Sequence, residues 1–74
     1  MDHFDERIAR AATSWTPAFL GRKEVPPNVA KACRFAMMKS RSGRLFPSDH
    51  ISEGADLVGL SVDEINEALQ RLEV

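Results

Sequence analysis

Ten lysines and arginines, eleven aspartates and glutamates, two histidines and one cysteine supply the ionisable, metal-binding and nucleophilic chemistry of this 74-residue chain. The histidines do not add up to a metal site: His3 and His50 lie far apart, and the pairing of His50 with Asp49 falls short of a ligand set. Cys33 sits among Val29, Ala32 and Ala36, the setting of a buried core thiol rather than a nucleophile. There is no glycine-rich phosphate loop, no H-E-x-x-H and no Ser/His/Asp set, in a chain too short to enclose a substrate. These absences argue against an enzyme and against a metal or other cofactor. What remains is charge. From Arg22 to Arg44 seven basic residues face Glu24 alone, whereas from Leu45 to Val74 seven acids face Arg71 alone, so a net charge of −1 conceals two opposite halves. Lys31, Arg34 and Arg41 recur at spacings that place them near one helix face, with Arg44 just beyond. Such a stripe suits a phosphate backbone, and it equally suits cations that only solvate the outside of a small helical domain.

The elements that must position these residues are helical. Phe4, Ile8, Ala11, Ala12 and Trp15 recur at helical spacing opposite Asp5, Glu6, Arg7 and Arg10, which predicts an amphipathic helix over 3–15 ended by Pro17. Thr16 to Asn28 holds three prolines and a glycine and reads as a connector, with Phe19 and Leu20 packed beneath the domain. A second helix is expected over 28–41, capped by Asn28 and burying Val29, Ala32, Cys33, Ala36 and Met37. Pro47 suits the start of a third, over 48–58, with Ser48 or Ser52 as its cap. Ser61 and Glu64 form an S-x-x-E capping box that opens a fourth, over 61–73, with Ile65, Ala68, Leu69 and Leu72 as its apolar stripe. Trp15, Phe19, Phe35 and Phe46 are assigned to the core. The expected fold is all-α, a small four-helix domain. Residues 1–27 carry the first helix and the Pro-rich connector and 28–74 the remainder, as one structural unit. No apolar run is long enough to span a bilayer and the start has no signal-peptide pattern, so no membrane is expected and the chain is read as cytoplasmic.

The run ADLVGLSVDEINEALQRL, Ala55 to Leu72, resembles the helix-turn-helix of small bacterial or phage transcription regulators, the winged-helix branch in particular. Ala55 matches a small residue at the helix crossing, Gly59 the turn, Leu60 the corner plug, and Ile65, Leu69 and Leu72 the buried positions of the second helix. The resemblance covers about residues 28–73. It implies DNA binding, with Lys31, Arg34, Arg41 and Arg44 on phosphates and Ser61, Asn66, Gln70 and Arg71 approaching the groove. Two departures qualify it. The chain stops at Val74, where a winged helix would continue into its wing, so the wing is expected to be absent. The helix that would enter the groove also opens with Asp63 and Glu64 and continues with Glu67, which oppose phosphate.

Two functions of different class follow. In the first, the chain is a small DNA-binding transcription regulator that dimerises for affinity. In the second, the helix-turn-helix is a scaffold for a protein-binding modulator, inhibitor or accessory subunit, whose Asp63, Glu64 and Glu67 meet a basic protein surface. The opposed charges of the two halves also make a homo-oligomer plausible.

Overall fold

The computed structural model describes residues 15–43 and 46–72. The helix expected over 3–15 lies outside them except for Trp15, which is not helical and is buried. The described chain is all-α: four helices, α1 (Pro17–Leu20), α2 (Pro27–Ser42), α3 (Ile51–Val58) and α4 (Val62–Leu72), with a 3-10 turn at Pro47–Asp49.

The first described element departs from the expectation of a plain connector. Thr16 takes an extended conformation and its Oγ1 accepts from the Phe19 N–H at 3.1 Å, while Pro17 supplies a preset φ and has no N–H to leave unpaired. One turn of helix results, and it places Leu20 in the core with Phe19 against it. Proline also moves the start of α2. The helix begins at Pro27 behind an extended Pro26, one residue before the expected cap, so Asn28 is an exposed first-turn residue and not the cap.

Helix α2 is the central element, packed against α3 and the 3-10 turn. Its buried face is built of small residues, with Ala32, Cys33 and Ala36 at zero exposure. This lets α3 approach until a Cβ placed on Gly54 would lie 2.3 Å from the Ala32 carbonyl oxygen, so no side chain fits there without moving backbone. Burial pushes the Cys33 thiol up to about 12, consistent with the core role expected of it.

The cap of the third segment also differs. Asp49, not Ser48 or Ser52, does the capping: its Oδ2 accepts from the Phe46 N–H at 2.9 Å, and the chain makes a 3-10 turn before α3 starts at Ile51. Glu53, in the first turn of α3, lies 3.4 Å from both His50 Nδ1 and Lys39 Nζ. The His50 hydrogen bond, then that from Lys39, holds its carboxyl below the usual range. That contact ties the end of α2 to the start of α3.

The junction of α3 and α4 follows the sequence closely. Gly59 has φ 73°, in the left-handed region, and the Leu60 N–H reaches the Ala55 carbonyl at 3.0 Å, the closing bond of a Schellman turn. Ser61 Oγ then accepts from the Glu64 N–H at 3.1 Å while the Glu64 carboxylate accepts from the Ser61 N–H at 3.2 Å, the expected capping box. Ile65 and Leu69 are fully buried, and Ala68 and Leu72 pack half-buried at the edge of the same core.

Candidate interaction surface

On α2 the positions 31, 34, 38 and 41 follow the i, i+3, i+7, i+10 spacing of a single helical stripe. It carries Lys31, Arg34, Met38 and Arg41, all exposed, while the small residues of the opposite face are spent on the core. Among the described residues no carboxylate pairs with Lys31, Arg34 or Arg41; Arg34 instead donates to the Leu20 carbonyl at 3.4 Å, which steadies its guanidinium over α1. The expected stripe of cations therefore exists as a surface feature. Arg44 lies outside the described residues.

Two shallow grooves flank this stripe and share Arg34 and Met38. One, of about 290 Å³, runs between α1 and α2 and is lined by Pro17, Leu20, Arg34, Met37, Met38 and Arg41. The other, of about 450 Å³, lies between α2 and α3 and is lined by Lys31, Arg34, Phe35, Met38 and Leu57. Their floors are apolar and their rims cationic. Met38 is 68 % and Leu57 50 % exposed.

Helix α4 presents the opposite character. Asp63, Glu64 and Glu67 are exposed, as are Ser61 and Arg71, and Gln70 is half-buried. Asn66 departs from the expectation: placed by the sequence on the outward, base-reading face, it is fully buried next in sequence to Ile65, and among the described residues neither its Oδ1 nor its Nδ2 has a hydrogen-bond partner. The stripe of Ile65 and Leu69 defines an inward sector wide enough to include it. Glu64 is tied to its own helix start by the capping box, so its carboxylate is engaged within α4.

Two aromatic residues also depart from their core assignment. Phe46 is 76 % exposed. Phe35 is half-buried, lines the larger groove, and has the Lys39 ammonium 5.8 Å from its ring centre. The groove itself escaped the sequence reading, although a signal was present. Met37 and Met38 are adjacent on a helix, about 100° apart, so if Met37 leans on the core, Met38 must join the cations. Leu57 likewise falls outside the Ile51, Ala55, Val58 spacing of its own helix.

Among the described residues no three His, Cys, Asp or Glu side chains gather as a metal would require, and no helix is long and apolar enough to cross a membrane. No known family profile matches the chain, and no curated protein or solved structure is found similar to it, so the surface must be read from its own residues.

Proposed function

We propose that the chain is a helix-turn-helix DNA-binding module of a small transcription regulator, holding duplex phosphates with Lys31, Arg34 and Arg41. The observation that carries this reading is the stripe of exposed cations on α2 that have no carboxylate partner among the described residues, on the helix against which α3 is packed. The left-handed glycine and the capped second helix agree with the stereochemistry of the motif. Of the three carboxylates that argue against it, Glu64 is occupied in its cap, and Asp63 lies in the first turn, where the helix dipole favours an anion. Ser61, Gln70 and Arg71 remain available to approach base edges, and Asn66 leaves that set because it is buried. Direct readout is correspondingly thin, and backbone contacts supply most of the affinity.

The test is a salt series of binding to a short random-sequence duplex. Three phosphate contacts give a slope of log K against log salt of about −2.7. Replacing Arg34 and Arg41 by Glu should abolish binding; binding that survives both reversals refutes the assignment. A second reading is favoured by one observation: Asp63 and Glu67 stand exposed on α4 while the expected base reader Asn66 does not. A basic protein surface would then be the partner, and no duplex binding would occur even at low salt.

A further inference from the structure

We propose that the groove between α2 and α3 docks an acidic amphipathic helix from another protein, whose apolar stripe enters over Phe35, Met38 and Leu57 while its carboxylates meet Lys31 and Arg34 on the groove's rim and Arg41 farther along the same stripe of α2. The groove has the two components of helix recognition, an apolar floor and a charged rim that fixes the sign of the ligand. Two of its floor residues, Met38 and Leu57, are at least half exposed in a chain that can spare few large apolar groups from its core. Methionine lets such a floor adapt to the side chains it receives. From Lys31 to Arg41 the stripe extends about 15 Å along α2, the length of roughly three turns of a partner helix.

The alternatives fit less well. A second copy of this chain would offer its acidic α4, but the apolar stripe of that helix, Ile65 and Leu69, is at zero exposure in its own core, so it brings carboxylates without anchors. A phosphate backbone would satisfy the cations and leave the exposed apolar surface of Met38 and Leu57 in water. A helix seated here covers the cations assigned above to phosphate, so it would compete with duplex DNA. That competition rests on the DNA-binding reading, whereas the docking itself does not.

The probe is a fluorescently labelled, Glu-rich synthetic helix of about three turns with leucines at i, i+3 and i+7, set against a peptide of identical composition with the leucines scrambled off the stripe. Anisotropy titration should show saturable binding of the first and weakening of about tenfold or more for the second. Leu57→Asn, at a half-exposed position that leaves the core intact, should weaken peptide binding by about tenfold or more and leave duplex binding unchanged. R34E combined with R41E should abolish peptide binding. Equal binding of both peptides, binding of neither, or indifference to Leu57→Asn would overturn the proposal. So would a photo-crosslinker at position 57 that captures residues 1–14 of the same chain or a second copy in place of the peptide. Loss of peptide binding on Leu57→Asn without any duplex binding in the parent would uphold the docking and defeat only the DNA-binding reading.

Discussion

Asn66 is the residue whose chemistry and position conflict most. A buried amide whose polar atoms find no protein partner among the described residues carries a desolvation cost of about 1–3 kcal/mol. Leucine has nearly the same shape and no such debt, so Asn66→Leu should stabilise the fold by about 1–3 kcal/mol in urea unfolding, and should leave duplex binding untouched. A destabilised variant would mean that the amide has a task the fold depends on. Cys33 gives a second prediction at this scale. Its folded pKa is raised from 9.0 to about 12, first by desolvation, with the nearby Arg34 opposing. The unfolded thiol therefore ionises first on raising pH. The stabilisation is whole below about pH 9 and is lost between there and about pH 12, at roughly 1.4 kcal/mol per pH unit. Cys33→Ala should remove that slope, and in the native parent a thiol reagent near neutral pH should react only as fast as the chain unfolds.

The elements meet at two glycines that are needed for different reasons. Gly54 has ordinary helical geometry, but its Cβ would strike the Ala32 carbonyl, so even Gly54→Ala should cost about 1–3 kcal/mol through overpacking of α2 against α3. Gly59 has open space around the missing Cβ and a positive φ, so its requirement is conformational. Gly59→Val should cost about 1–3 kcal/mol in strain, while Gly59→Asn, which tolerates the left-handed region, should cost clearly less. Equal effects of Val and Asn on the melting temperature would show that strain is not the cause. On α4, Leu69→Ala should cost about 2–5 kcal/mol because the side chain is fully enclosed between helices; an unchanged melting temperature would contradict that packing.

At the scale of the whole molecule, the two charged halves of the sequence appear as two surfaces, cations along α2 and carboxylates along α4. A duplex responds to both. Replacing Asp63 and Glu67 by Lys, with Glu64 kept so that the cap survives, should strengthen non-specific duplex binding and steepen its salt dependence. Weaker binding in that variant would point instead to carboxylates that engage the partner. Surfaces of opposite sign also permit a contact between copies by charge alone, α2 of one against α4 of another, without the apolar anchors that the groove accepts. Such association should be visible by sedimentation at low salt and fade as the Debye length shrinks to about 10 Å near 0.1 M.

How much of this was written in the sequence depends on how local the cause is. The α3–α4 junction was legible residue by residue: a glycine free to take positive φ, a serine and a glutamate three apart, and apolar residues at helical spacing need only their neighbours in the chain to act. The all-α class and the burial of Ile65, Leu69 and Cys33 followed from periodicity for the same reason. The helix starts at Pro27 and Ile51 were misread because two proline effects and an aspartate outcompeted better-known caps nearby, a contest among local interactions of similar size. The need for glycine at 54 and the withdrawal of Asn66 could not be read at all, and of the apolar floor only the outward spacing of Met38 and Leu57 was legible, not the groove they share. Each depends on how closely α2 approaches α3 and on how wide a sector of α4 the core covers. Those distances are set by contacts between residues far apart in the chain, so only the tertiary structure decides them.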